Sequence, residues 1–149
     1  MRSLSVFYAD DDEDDLMLFE DAINDVRQLI AAAVSLHLVK NGVKLIDKIL
    51  QEKVADPLIF LDLNMPCKSG LELLQEIRAN SLLKNSTVII YSTSTNDESI
   101  RKSYQYGASL YACKPNDYTS LKTMTTSLLT TDWQSRTSDF SNFVYQKAD

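Results

Sequence analysis

The sequence predicts an α/β protein built on a doubly wound, five-stranded parallel sheet. Two patterns along its 149 residues carry that expectation. Short apolar runs rich in β-branched and aromatic residues alternate with segments of helical period, five times over. One run, "PLIFLDL" (57–63), is apolar almost throughout, as a strand covered on both faces must be. Strand-then-helix units joined by right-handed crossovers put helices on both faces of one sheet.

The elements follow in order. "LSVFYA" (4–9) reads as the first strand. The period then changes, and Leu16, Phe19, Ile23 and Val26 share one helical face with Asp12 as N-cap. "AVSLHLV" (33–39) is the second strand, and Asn41-Gly42 opens a helix carrying Val43, Ile46, Ile49 and Leu50. After the third strand (57–63), Leu71, Leu74 and Ile77 mark a third helix. "TVIIYS" (87–92) is the fourth strand, followed by a capping box of Thr95 and Glu98 for the helix holding Ile100 and Tyr104. "SLYAC" (109–113) is the fifth strand, and Leu121, Met124, Thr125 and Leu128 mark the last helix.

Composition excludes several function classes. No apolar stretch approaches the ~20 residues of a membrane span, and the amino terminus lacks the pattern of a secretory signal. Cys67 and Cys113 have neither scaffold nor metal-finger spacing, which predicts two reduced thiols. Acids outnumber bases 21 to 15, and the six at positions 10–15, "DDDEDD", equal the whole net charge of −6. The rest of the chain is balanced, with no basic patch for nucleic acid. An acidic knot on a neutral body points to a cation.

In open parallel sheets the functional crevice lies beyond the carboxyl ends of the strands, where the strand order reverses. The residues at those ends are Asp10 and Asp11, Asp62, Ser92 and Lys114. Two carboxylates ~4 Å apart repel by roughly 1 kcal/mol in water and about 4 kcal/mol at a protein-surface dielectric. Their pKa values must rise, or a cation must neutralise them. Oxygen donors without nearby His or Cys suit a hard ion, Mg2+. Asp12, Glu13, Asp14 and Asp15 have a simpler reading, as first-turn acids complementing a helix dipole. Asp10, Asp12 and Asp14 also have calcium-loop spacing, but Asp15 stands where that loop needs Gly, and Asp21 where it needs Glu. Asp62, at the end of an apolar strand, has the chemistry of a nucleophile toward phosphorus, with Lys114 and a metal to hold the phosphoryl charge.

The acid pair in "ADDD", "LDLNMPCKSG", "VIIYST" and "GASLYACKP", in this order and at these intervals, resemble the receiver domain of two-component response regulators, from about Leu4 to Leu129. The resemblance implies a flavodoxin-like strand order, 2-1-3-4-5, in a (βα)5 sandwich. It implies Asp62 as phosphoacceptor, Asp11 as a direct Mg2+ ligand, Asp10 as one acting mainly through water, and Asn64 as donor of a backbone carbonyl. Ser92 matches the hydroxyl that moves to the phosphoryl group, and Lys114 the lysine that pairs with it. Tyr111 matches an aromatic switch whose ring turns inward with that movement, and a cis peptide is expected before Pro115. The departures are Ser92 where Thr is commoner, a bulky Thr93 beside it, and Asn64 and Ser94 at positions that tune phosphate lifetime.

The implied partners are a sensor histidine kinase or histidine phosphotransfer protein and a downstream protein target, with readout through the fourth helix, fifth strand and fifth helix, including Tyr104 and Tyr106. A cytoplasmic protein, monomeric or dimerising on phosphorylation, is the matching expectation. Residues 1–130 form the expected receiver domain. Residues 131–149 form a tail too short for an output domain, with Trp133, Phe140, Phe143 and Tyr145 expected to dock on the domain's own surface. Two other readings compete: a phosphatase with Asp62 as nucleophile, which would want a second acid in place of Asn64, and a receiver-like binding protein with a vestigial site.

Overall fold

The computed structural model describes residues 2–137 and 139–146. Within it, strands β1 (Arg2–Ala9), β2 (Ala32–Val39), β3 (Leu58–Leu61), β4 (Thr87–Ser92) and β5 (Leu110–Cys113) form one parallel sheet in the order 2-1-3-4-5. Helices α1 (Glu13–Val26), α2 (Leu45–Glu52), α3 (Gly70–Ala79), α4 (Asp97–Gln105) and α5 (Tyr118–Thr130) alternate with the strands.

Strand side chains alternate between two buried layers because successive Cβ atoms point to opposite faces. Val6, Tyr8, Phe60, Ile89 and Tyr91 meet Leu16, Phe19 and Ile23 of α1 and Leu121, Met124 and Leu128 of α5. Phe7, Ile59, Leu61, Val88 and Ile90 face the other way, onto Leu45 and Ile49 of α2 and Leu73, Leu74 and Ile77 of α3. Both faces are therefore covered, which is why β3 reads as continuous apolar sequence.

The local signals acted as expected in most places. Asp12 caps α1, accepting from the amides of Asp14 and Asp15, and Ser69 caps α3. Asn41 caps a short 3-10 turn (Gly42–Lys44) that precedes α2, so Val43 is 54% exposed and Leu45 takes its predicted place inside. In α3 the buried face uses Leu73, with Leu71 only half-buried. The cap of α4 is Asn96 rather than Thr95: its carboxamide accepts from the amides of Glu98 and Ser99. Asn and Thr both cap well, so residue type alone does not choose between them. The Lys114–Pro115 bond is trans rather than cis, as is every peptide among the described residues. An X–Pro amide favours trans by only about 0.5–1 kcal/mol, so neither isomer is dictated locally.

Gly70 is required sterically. A Cβ there would stand 2.3 Å from the Asp62 carbonyl oxygen, and the Gly70 amide donates to the Leu63 carbonyl. That close approach folds the β3–α3 loop tightly beneath Asp62. At the far edge of the sheet, the tail returns along β5. Val144 forms a parallel bridge with Tyr111, the Tyr111 amide donates to the Phe143 carbonyl, and the Tyr145 amide donates to the Tyr111 carbonyl.

Candidate functional site

The topology reverses between β1 and β3, and this is where the acids meet. Ala9 lies opposite Leu61 in register, and the Asp62 amide donates to the Ala9 carbonyl at 3.1 Å. Asp10 and Asp62 thus leave adjacent strands at the same level. Carboxylate oxygens of Asp10, Asp11 and Asp62 lie within 4.8 Å of one another. Asp11 is exposed, Asp62 is 6% exposed and Asp10 is fully buried.

Asp10 is held on every side. Its Oδ1 accepts from the Asp12 amide at 2.9 Å; its Oδ2 accepts from the Lys114 ammonium at 2.7 Å and from the Tyr8 phenol. Tyr8 is itself fully buried, with its ring against Phe19 and Tyr91. Lys114, whose amide donates to the Ser92 carbonyl, brings its ammonium from the end of β5. The ammonium sits 2.8 Å from Asp15 Oδ2 and 3.6 Å from Asp62 Oδ1, 5.6 Å from the centre of the Tyr91 ring. Burial alone would pull the Lys114 pKa down, but hydrogen bonds to Asp10 and Asp15 outweigh it and raise the pKa. The lysine is a fixed positive charge.

Asp62 is different. Burial pushes its carboxyl up to about 6, Lys114 opposes the rise, and the charges of Asp10 and Asp11 reinforce it. A carboxylate whose folded pKa exceeds its unfolded value costs stability once both forms are ionised. Between about pH 4 and 6 the folded protein keeps a proton that the unfolded chain has released, so stability falls as pH rises through that window. Above it the penalty is on the order of 3 kcal/mol. Asp62→Asn removes it, so the metal-free variant should melt roughly 6–12 °C above wild type at pH 7.5 and level with it near pH 4. A gain independent of pH in thermal melts would contradict this account of Asp62.

The remaining predicted residues lie on the same rim. Ser92 is fully buried, and its Oγ accepts from the Ser94 amide at 3.2 Å. Asn64 is exposed in the loop after β3. Tyr111 is fully buried, and its hydroxyl donates to the Ser94 carbonyl at 2.8 Å, which joins β5 to the loop beyond Ser92. Two participants were not predicted. Tyr8 has a signal in sequence, since it stands two residues before Asp10 and so shares its strand face. Asp15 has none beyond its place in the acidic run, where helix-end complementation was the expected role. The structure directs it instead to Lys114.

The donor set fits a hard divalent cation: three convergent carboxylates, two of them beside a single ammonium that cannot neutralise all three.

With fold and site in place, similarity to known proteins is informative. Residues 6–126 match the response regulator receiver domain family. The chain belongs to that family: it carries a phosphoacceptor signalling domain of two-component systems rather than a conventional enzyme, and receiver domains bind Mg2+ at the acidic pocket that Asp10, Asp11 and Asp62 form here. Receiver domains of this family interact with histidine kinases or phosphotransfer proteins. Among curated relatives, response regulator Rcp1 of Synechocystis sp. is 39% identical over 64 residues, 43% of this chain and 44% of the relative. The probable C4-dicarboxylate response regulator DctR of Priestia megaterium is 33% identical over 110 residues, 74% of this chain and 46% of the relative. The chain thus spans under half the length of these curated relatives. Among solved structures, the phosphorylated cyanobacterial phytochrome response regulator RcpA superposes with a TM-score of 0.76 at 27% identity, covering 89% of this chain and 95% of that one. The Mn2+-bound form of Rcp1 gives 0.73 at 26% identity, covering 90% and 97%. No helix among the described residues is long and apolar enough to cross a membrane.

Proposed function

We propose that this domain accepts a phosphoryl group on Asp62 from a phosphohistidine of a sensor kinase or phosphotransfer protein, and that the modified state binds a downstream protein. The carrying observation is the placement of Asp62: a nearly buried carboxylate in register with Asp10, within 4.8 Å of two other acids and 3.6 Å from the Lys114 ammonium.

An Asp62 oxygen attacks phosphorus, the P–N bond to the donor imidazole breaks, and the imidazole leaves with its bonding pair and takes up a proton. Bound Mg2+ would supply charge neutralisation for the phosphoryl oxygens. Asp11 would hold it directly, Asp10 mainly through water, and Asn64 through its backbone carbonyl. Asp10 has one Oδ2 already shared by Lys114 and Tyr8, which supports the indirect role. Lys114 and the Ser92 hydroxyl take the remaining phosphoryl oxygens. Movement of Ser92 releases the Ser94 amide that its hydroxyl accepts from, and the Ser94 carbonyl in turn accepts from the Tyr111 hydroxyl, so the change reaches β5 and the face formed with α4 and α5. Tyr104 and Tyr106 belong to that face. Water then hydrolyses the acyl phosphate and resets Asp62, with the protein acting in the cytoplasm as a monomer or as a dimer formed on phosphorylation.

Incubation with Mg2+ and a small acyl phosphate should label the protein once, at Asp62, and Asp62→Asn should take no label. Persistent labelling of that variant would remove Asp62 from the role.

A further inference from the structure

Lys114 has two carboxylate partners at hydrogen-bond distance in the unmodified protein, and neither is Asp62. Asp10 and Asp15 hold the ammonium at 2.7 and 2.8 Å, while Asp62 is 3.6 Å away. The Asp10 contact is shared with a fixed phenol and a backbone amide, so Asp10 keeps donors of its own if the ammonium leaves. Asp15 is otherwise unneeded where it stands. Its amide is already served by Asp12, and its side chain, 31% exposed, reaches from the first turn of α1 across to a lysine 99 residues away. A helix-end acid complementing the dipole has no reason to make that contact.

We propose that Asp15 is a positioning residue that parks the Lys114 ammonium away from Asp62 until a phosphoryl group competes for it. The inference rests on the phosphoacceptor reading of Asp62 given above. On that reading Lys114 must serve the phosphoryl oxygens, and the Asp15 contact belongs to the ground state alone. An interaction made only before the reaction raises the barrier to it, so its removal speeds the step. Asp15 is then a brake on modification, set by one hydrogen bond.

The neighbouring Asp14 provides the control, because Asp14→Asn removes the same charge from the same helical turn without touching Lys114. The probe is a small acyl phosphate with Mg2+, used on the full chain. Asp15→Asn should label about two- to fivefold faster than wild type, the range of one part-exposed ion pair, and Asp14→Asn should change the rate less than about 1.5-fold, as a screened surface charge. The 15N signal of the Lys114 ammonium, recorded without donor, should shift in Asp15→Asn and stay in place in Asp14→Asn. An unmoved ammonium signal, or equal labelling rates for the two variants, overturns the positioning role. Absence of label in wild type would instead overturn the phosphoacceptor reading, and the two failures are told apart by the wild-type lane.

Discussion

Lys114→Met should lower the stability of the metal-free protein by about 3 kcal/mol, seen as a fall of roughly 6–12 °C in Tm. The ammonium is the only cation within ion-pair distance of Asp10 and of Asp62 among the described residues, and its side chain is 9% exposed. Methionine keeps the length and apolar stem but leaves a fully buried Asp10 carboxylate with only a phenol and an amide as donors. Breaking one partner of a buried pair costs more than the pair itself contributes, because the stranded charge stays desolvated. Mg2+ provides the second half of the test. Ammonium and metal are alternative countercharges for the same acids, so removing the ammonium should tighten Mg2+ binding about tenfold, a Coulombic change of ordinary size at ~4 Å. Saturating Mg2+ should then recover most of the lost Tm, since a ligand of the folded state alone stabilises by mass action. Calorimetry that found Mg2+ binding weaker in Lys114→Met would show that the lysine organises the acids instead of competing for them. Phosphoryl labelling should fall in the same variant even as the metal binds better, because the group that meets the phosphoryl oxygens is gone.

The site was legible in sequence to an unusual degree for a physical reason. Each principal residue sits at the carboxyl end of a strand, and strands announce themselves by apolar run and abrupt end. "SVFYADD" and "LIFLD" place Asp10 and Asp62 almost by inspection, and the Ala9–Leu61 register then makes them neighbours. Lys114 follows from the same logic applied to "LYACK". Asp15 did not follow, because its partner is set by how α1 lies beside the end of β5, and helix placement is tertiary information. Tyr8 had one signal, its place two residues before Asp10 on the same strand face, and its phenol matters because the Asp10 carboxylate lies there.

Helix ends showed the limits of local signals. "STSTND" before α4 contains several residues able to cap, and Thr95 with Glu98 matched a capping box, yet Asn96 took the role. Helix α4 starts at Asp97, which puts Asn96 at the capping position one residue beyond the box. Strand β3 is also shorter than its apolar run: Leu63 is buried in the loop, where Gly70 lets backbone pack on backbone.

Phe143→Ala should release the tail from β5. Phe143 is fully buried, its ring against Tyr104 and Tyr111 at centroid distances of 5.2 and 6.5 Å. Truncating a buried Phe costs about 3–5 kcal/mol when the rest of the fold holds its shape. Here the cost falls on a segment laid along the edge of β5, so it should appear as local opening more than as loss of global stability. The reporters are the Tyr111 and Tyr145 amides, which bond to Phe143 and Tyr111 carbonyls and close the edge of the sheet. Their hydrogen exchange should accelerate at least about a hundredfold, the factor expected when some 3 kcal/mol of docking is lost, while amides of β1 and β3 keep their protection. Arg136, which donates to the Ser109 and Asn142 carbonyls, and the Trp133 indole, which donates to the Leu128 carbonyl, should keep the first part of the tail near α5. Opening therefore begins beyond Arg136. The consequence for signalling follows from where the ring sits: Phe143 is packed on Tyr111, and Tyr111 is bonded to the Ser94 carbonyl next to Ser92. Unchanged exchange at Tyr111 in Phe143→Ala would mean that the backbone pairing holds the tail without its aromatic anchor.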